Sequence, residues 1–433
     1  MNKNEVETTW YESPALKGLV GLMGGRAMRG IMNQFRGNRI FGGKTGLMDV
    51  AEELGKRLEP NEKRLLIIAD SFTQRFSKKI QPEFEQQGFE IRIWDGVKPE
   101  VPLDIIEEGV EICKEFKPTI FVAVGGGSVI DAAKVLWIAY ERPEIDLLQI
   151  DVFSSVIGLR TKVIALVAIP TTIGTGSEVT TAAVVTDTRR EPPKKISLSV
   201  DETLPDYVVL DTDFVKTLPP FLIKATGLDA LAHSIGAYVS NWGSPFIDAI
   251  NMTAIKEVLQ YLPRLAKFGT KDLEALEHMQ WAATLAGMGF INAMPGIDHA
   301  LGHSFGAVMH VHHGLSVGMF AAQSVAWQAQ VTERWRDLCP LFGIDQQKYS
   351  SRQELLEALV RAIQDFCRSI GGVAAVKEIE KPKITQEDYL KKIEVMAEYA
   401  DSDVCSLTSY RPINKEIYKQ MYQAAWDGEE LIY

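Results

Sequence analysis

The chain predicts an α/β half built on a parallel sheet, followed by an all-helical half. Three observations carry this. Short β-branched runs alternate with helical patterns in the first half, the signature of βαβ units. From about Phe214 onward, apolar residues recur at helical spacing instead. The pair Pro219-Pro220 stands at the change. The expected division is 1–213 and 214–433, with 1–35 as an added N-terminal segment.

The predicted strands of the first half are "RLLIIAD" (Arg64 to Asp70), "FEIRIWDG" (Phe89 to Gly96), "TIFVAVGGGS" (Thr119 to Ser128) and "KVIALVAIPTT" (Lys162 to Thr172). The second ends at Asp-Gly, the third runs into a glycine turn, and Pro170 stops the fourth. Helical stretches lie between them, from Leu103 to Phe116 and from Val129 to Tyr140. In the second half the periodic segments are "FIDAINMTAIKEVLQYLPRLAKF", "LEALEHMQWAATLAGMGF", "ELLEALVRAIQDFCRSIGG" and "EIYKQMYQAAWDGEELIY".

A length of 433 residues suits two or three domains. The 46% hydrophobic and 24% charged content is ordinary for a globular enzyme-sized chain. A formal charge of −11 argues against nucleic acid or an anionic membrane surface as partner. No apolar run reaches the roughly 18 residues of a spanning helix. The segment Leu16 to Phe35 mixes Gly, Met and Arg and reads as a surface or subunit-contact helix, not a secretory signal. Cys113, Cys339, Cys367 and Cys405 are scattered with no CxxC pair. They read as reduced thiols of a cytoplasmic protein.

Two loops suit a polar ligand. "VGGGSVIDAAK" places Gly125, Gly126 and Gly127 between a strand and a helix. Glycine backbone and a helix N-terminus together favour a phosphate, and Ser128 is placed to cap the helix and touch the anion. A plain tight turn is the competing reading. Asp70 closes a strand, where a carboxylate accepts ribose hydroxyls and repels a 2′-phosphate. "PTTIGTGSEVTT" (Pro170 to Thr181) follows another strand with small hydroxyl residues and glycine. Ligands of open α/β sheets bind at the carboxyl ends of strands.

Histidine is scarce and clustered. His299, His303, His310, His312 and His313 crowd into "GIDHALGHSFGAVMHVHHG", out of 7 in the chain. Upstream, Asp229 and His233 share a helix face at i, i+4. One such pair is ordinary surface chemistry. With the cluster, imidazoles and a carboxylate can complete a divalent-metal site of Fe(II) or Zn(II) type, with no cysteine nearby. The residues alone leave open which histidines are ligands.

Together these motifs resemble the iron-containing (group III) alcohol dehydrogenases. "GGGSVIDAAK", "PTTIGTGSEVT", "LPPFLIKATGLDALAHSIGAYVS" and "GIDHALGHSFGA…HHG" occur in the family's order. The likeness runs from "RIFGGKTG" near Arg39 to "YQAAW", about nine-tenths of the chain. It implies a Rossmann-like NAD-binding domain of dehydroquinate synthase-like fold and a helical metal-binding domain. It implies Asp229, His233, His299 and His313 as metal ligands, with His303 a non-ligand on the reaction side. His310 and His312 match no ligand. It assigns Asp70, Gly126, Gly127, Ser128, Thr171, Thr172, Thr175 and Lys195 to the cofactor, and Phe290 to the substrate pocket. His312 departs from the family's usual proline, Gly236 from an acid, Ala182 from an asparagine, and "SYRP" (Ser409 to Pro412) from Asn-Pro-Arg.

The implied activity is reversible hydride transfer between a small primary alcohol or diol and NAD, with Fe(2+), or alternatively Zn(2+), as Lewis acid. The implied assembly is a homodimer or larger homo-oligomer. The rivals are a zinc glycerol-type dehydrogenase, a hydroxyacid- or oxoacid-type reductase, and a non-catalytic assembly protein.

Overall fold

The computed structural model describes residues 37–150, 156–428 and 431–432. The segment read as a surface helix (Leu16 to Phe35) lies outside them. The chain divides into two compact units. One holds Phe35–Glu191 and Lys195–Leu218; the other holds Pro192–Lys194 and Pro219–Tyr433.

The first unit is built on a six-stranded sheet. Its strands are β1 (Arg39–Gly42), β2 (Arg64–Asp70), β3 (Glu90–Val97), β4 (Ile120–Gly125), β5 (Ala165–Pro170) and β8 (Tyr207–Leu210). Their order is β1-β8-β5-β4-β2-β3, and every pairing is parallel. A separate two-stranded sheet pairs β6 (Ala182–Asp187) with β7 (Lys194–Ser199). Helices α1 (Gly46–Arg57), α2 (Ser77–Glu85), α3 (Ile106–Phe116) and α4 (Gly127–Glu141) connect the early strands, and α5 (Thr212–Val215) is a single turn after β8.

Strand periodicity sends alternate side chains to opposite faces. Leu65, Ile67, Val122, Val124, Val167 and Ile169 enter one core, with α1 and α2 residues such as Leu54 and Phe84. Leu66, Ile68, Phe121, Ala123, Leu166 and Ala168 enter the other, with Cys113 of α3 and Leu136 of α4. Burial on both faces is why these strands read as continuous apolar runs.

The four-residue strands β1 and β8, and the pair β6–β7, have no counterpart among the expected strands. "RIFG" and "YVVL" are too short to show a period. Their pairing is supplied across the sheet, β1 against β8 and β8 against β5.

The second unit is helical: α6 (Pro220–Val239), α7 (Pro245–Phe268), α8 (Leu273–Ala293), α9 (Ile297–Met309), α10 (His313–Ala329), α11 (Arg352–Ser369), α12 (Gln386–Asp401) and α13 (Lys415–Ala425). Pro219 is the N-cap of α6 and Pro220 its first residue, where a missing N–H costs nothing. Helix α13 ends at Ala425, short of the periodic stretch expected to run on. Gly428 takes φ +67° just beyond it. Helices α6, α9 and α10 are buried along most of their length, so they pack at the centre of this unit. Among the described residues no helix is long and apolar enough to cross a membrane.

One buried acid fixes the entry to β5. Glu141, the last residue of α4, accepts hydrogen bonds from the Trp137 indole (2.9 Å), the Thr161 N–H (2.9 Å) and hydroxyl (2.7 Å), and the N–H groups of Lys162 (3.1 Å) and Val163 (2.7 Å). Burial pushes its carboxyl up, but these donors outweigh burial and hold it below the usual range. Removing the acceptor strands several donors, so Glu141→Ala should destabilise the protein by about 2–4 kcal/mol in urea unfolding. A depressed folded value means that the carboxylate's stabilisation is present above the ordinary glutamate range. It is lost as pH falls through the folded value, and Glu141→Gln should flatten that acid limb.

Candidate metal centre and cofactor loops

Asp229 and His233 lie one turn apart on α6, His299 on α9, and His313 at the first position of α10. Close helix contact brings them together. A Cβ on Gly236 of α6 would come within 2.5 Å of the Gly296 nitrogen, at the N-cap of α9. A Cβ on Gly314 would meet the Ala225 carbonyl at 2.0 Å and the Asp229 Cβ at 3.2 Å. At these two positions only glycine lets α9 and α10 start this close to α6.

The four side chains form one cluster. One ligand atom from each of Asp229, His233, His299 and His313 lies within 4.8 Å of the others. Asp229 Oδ1 is 3.8 Å from His233 Nδ1, 3.8 Å from His299 Nε2 and 3.3 Å from His313 Nε2. Asp229 Oδ1 and His299 Nε2 are buried and have no hydrogen-bond partner among the described residues. A divalent ion with bonds of about 2.0–2.2 Å spaces tetrahedral ligands by roughly 3.4 Å, close to the 3.3–3.8 Å that separates Asp229 Oδ1 from the three imidazoles. The residues fit such an ion.

The electrostatics agree. Burial pushes Asp229 up, but the facing imidazoles of His233 and His313 prevail and hold it well below the usual range. Burial pushes His299 down, but Asp229 and Asp298 together raise it to about 9. Asp298 Oδ1 also accepts the His299 N–H at 2.9 Å. The rings of Phe290 and His299 stack on His233, at 4.2 Å and 4.4 Å between centroids. Phe290 thus packs against the cluster, in an apolar group with Ala237, Trp242, Ile247 and Ala293.

The other histidines separate by position. His303 stacks on His313 (5.1 Å, 18°), and its Nδ1 lies 2.9 Å from Asp403 Oδ2. His310 is the left-handed C-cap of α9. His312 is the N-cap of α10, and its Nδ1 accepts the Gly314 N–H at 3.3 Å. An acceptor is useful at an N-cap, and proline has no side-chain acceptor to offer there. Asp403 was not singled out from sequence. It caps the short helical turn Val404–Thr408, taking the Cys405 N–H at 2.8 Å. Burial raises its carboxyl, but His303 and the Cys405 N–H overcome this and lower it. Its sequence signal, an acid ahead of an apolar turn, is that of any cap.

In the first unit, Asp70, Gly125 and Pro170 end the adjacent strands β2, β4 and β5. The chain leaves β2 for β3 on one side and returns to β4 on the other, the switch point where nucleotides bind in such sheets. Asp70 Oδ1 accepts the N–H groups of Phe72 (2.8 Å) and Thr73 (2.7 Å). Gly126 is the N-cap of α4. Ser128 therefore does not cap the helix as expected; its hydroxyl accepts the Glu100 N–H at 3.2 Å. A Cβ on Gly126 would strike Thr172 at 2.9 Å, and one on Gly127 would strike Thr175 at 2.8 Å. The Thr171 N–H donates to the Gly125 carbonyl at 2.9 Å. The two loops therefore pack on one another. Lys195 joins them indirectly, its ammonium 3.3 Å from the Glu100 carboxylate.

Two residues of the glycine motif proved structural. Lys134, fully buried, donates to the Ser177 carbonyl (2.8 Å) and hydroxyl (2.9 Å), the Thr180 hydroxyl (3.2 Å) and the Ala182 carbonyl (2.6 Å). Asp131 takes the Ser177 hydroxyl at 2.5 Å and the Val184 N–H at 2.9 Å. Burial pushes the Lys134 ammonium down to about 8 against the pull of Asp131 and Glu178. Helix α4 thus pins the second loop, a role the spacing alone did not reveal.

His233→Ala or His313→Ala should weaken divalent-ion binding by at least about 100-fold, while His312→Ala keeps full occupancy and costs only about 1 kcal/mol of stability as a lost cap. Metal content and chemical unfolding check both. Because His299 holds a proton up to about 9 in the metal-free chain, an incoming ion must displace it. Apparent metal affinity should therefore rise with pH and level off above that value; a pH-independent affinity would contradict the ligand role.

Comparison with known proteins gives the family. The sequence profile described as "Iron-containing alcohol dehydrogenase" matches residues 39–212, and "Fe-containing alcohol dehydrogenase family, C-terminal" matches 223–426. The NADPH-dependent butanol dehydrogenase of Clostridium saccharobutylicum is 32% identical over 90% of this chain and 97% of its own length. The NAD-dependent methanol dehydrogenase of Bacillus methanolicus is 30% identical over 83% of this chain and 92% of its own. The solved iron-containing alcohol dehydrogenase of Thermococcus thioreducens superposes with a TM-score of 0.78 at 30% identity, covering 90% of this chain and 99% of that one. Parallel-sheet unit, helical unit, ordered motifs and matching relatives lead to one conclusion: the chain belongs to the iron-containing alcohol dehydrogenase family.

Proposed function

We propose that this chain interconverts a small primary alcohol or diol and its aldehyde, passing hydride reversibly to and from NAD. The observation that carries the reading is the largely buried cluster of Asp229, His233, His299 and His313, with Asp229 Oδ1 lacking a hydrogen-bond partner among the described residues. These four residues would hold the metal. The nitrogen and oxygen donor set suits Fe(2+), the family's metal, and would accept Zn(2+). Bound there, a divalent ion would supply Lewis-acid chemistry, lowering the pKa of an alcohol hydroxyl. The nicotinamide supplies the hydride acceptor.

The protein's residues do the rest. His303 takes up the hydroxyl proton as a general base. Phe290 gives the substrate's alkyl part an apolar wall. The first amides of α4, at Gly127 and Ser128, have no intrahelical acceptor and would bind the pyrophosphate. Thr171, Thr172 and Thr175 border it, and Lys195 completes the pocket through Glu100. Asp70 spends one oxygen on its own turn and keeps the other for ribose hydroxyls. The same charge disfavours a 2′-phosphate, so the preference is for NAD, as in the methanol dehydrogenase relative and unlike the butanol dehydrogenase. All four cysteines are buried and unpaired, which suits a cytoplasmic enzyme, and we take the working form to be a homodimer or larger homo-oligomer.

After anaerobic Fe(2+) reconstitution, short alcohols and diols should reduce NAD, followed by the near-ultraviolet absorbance of NADH. No turnover with any alcohol or aldehyde would refute the reading. Asp70→Ala should shrink the preference for NAD over NADP by about tenfold or more, the worth of roughly 1.4 kcal/mol of relieved repulsion. Unchanged discrimination would remove Asp70 from the cofactor site.

A further inference from the structure

Asp403 lies 100 residues from His303 in the chain, yet its Oδ2 is 2.9 Å from the His303 Nδ1. Both are buried, at 9% and 6% exposure. The other carboxylate oxygen is held by the Cys405 N–H at 2.8 Å, so the acid is clamped at both ends. The imidazole is clamped as well. It stacks on His313 at 18° and meets the His299 ring edge-on at 5.6 Å and 82°. Nothing in these contacts leaves the ring free to turn over.

We propose that Asp403 is a positioning residue that fixes His303 in the one tautomer able to accept the substrate's proton. The proposal rests on His303 being the proton acceptor, as read above. A carboxylate only accepts, so the hydrogen between the two groups belongs to Nδ1. The neutral ring then carries its lone pair on Nε2. In the oxidation direction the alcohol O–H bond breaks and its proton bonds to Nε2. The carbinol hydrogen leaves with the electron pair of its C–H bond, as hydride, and forms a new C–H bond on the nicotinamide ring, so the alcohol is oxidised by two electrons and NAD is reduced. The Nδ1 proton stays where it is. Asp403 offsets the positive charge on the ring until the proton passes to water. If Asp403 were absent, the ring could place its hydrogen on Nε2, where it cannot accept.

Cys405 stands beside this pair, and His303, Asp403 and Cys405 could together be read as a second metal set. The contacts favour the dyad: one Asp403 oxygen already takes the His303 ring N–H and the other the Cys405 backbone N–H.

The test compares His303→Ala, Asp403→Asn and the double variant in the metal-loaded enzyme, with metal content measured on each. Asp403→Asn should lower kcat by about 100-fold while KM stays within about threefold, at one metal per chain. The double variant should be no slower than His303→Ala, because Asp403 acts only through His303. Losses that multiply would overturn the proposal while leaving the His303 reading intact. Full activity of His303→Ala would overturn that reading and the proposal with it. A second metal per chain that disappears in Asp403→Asn would also overturn it. Nitrogen-15 histidine spectra of the zinc-loaded native protein give a readout independent of any Asp403 variant. The signal missing in His303→Ala should be an Nδ1–H tautomer hydrogen-bonded to a carboxylate; an Nε2–H tautomer there contradicts the proposal.

Discussion

A carboxylate buried among three imidazoles is the constraint around which the helical unit is arranged. Asp229 Oδ1 faces His233, His299 and His313 at 3.3–3.8 Å and has no hydrogen-bond partner among the described residues. Taking such groups out of water costs several kcal/mol unless charge compensates them. A bound divalent cation is the compensation that suits this donor set. The helices accept costs to build it. Gly236 and Gly314 sit in helices, where glycine is a poor former, because a larger residue would push α9 or α10 off α6. Phe290 and Asp298 then support His233 and His299 from behind, by stacking and by hydrogen bonding, the arrangement outer groups commonly take around metals.

The sheet unit follows a different logic. The turns proposed for the cofactor lie at the ends of neighbouring parallel strands, and turns need anchoring. Lys134 and Asp131 supply it by tying α4 to the Ser177–Val184 stretch. A fully buried lysine is tolerable because four oxygens lie within hydrogen-bond reach of its three N–H donors and Asp131 sits nearby. Residues Glu100 and Val101 add strain of their own, at φ +63° and +48°, beside the Ser128 hydroxyl. Backbone held in that region typically marks loops kept rigid for function.

Much of this was legible in the sequence. Buried strands with apolar runs on both faces and helices with clear spacing declare themselves, and β2 was bounded to the residue at Arg64–Asp70. The family motifs placed Asp229, His233, His299 and His313 in advance, and the structure brings those four together. Strands β1 and β8 were hidden because four residues cannot show a period, and their pairing comes from across the sheet. Asp403 was hidden because its partner is remote in sequence and its local pattern is that of a helix cap. His312, puzzling as a residue type, is explained by a single backbone hydrogen bond. The lesson is physical: periodicity reports burial, whereas a side-chain pair made by tertiary folding leaves no local trace.

The central claim is that one divalent ion sits on Asp229, His233, His299 and His313. X-ray absorption at the metal edge, on protein purified without air, tests it most directly. The account predicts a first shell of nitrogen and oxygen at about 2.0–2.2 Å with the outer-shell scattering of three imidazoles and no sulfur. A sulfur shell at about 2.3 Å would contradict it by moving the metal to a cysteine, and a nitrogen-oxygen shell that survives His233→Ala and His313→Ala unchanged would contradict it equally.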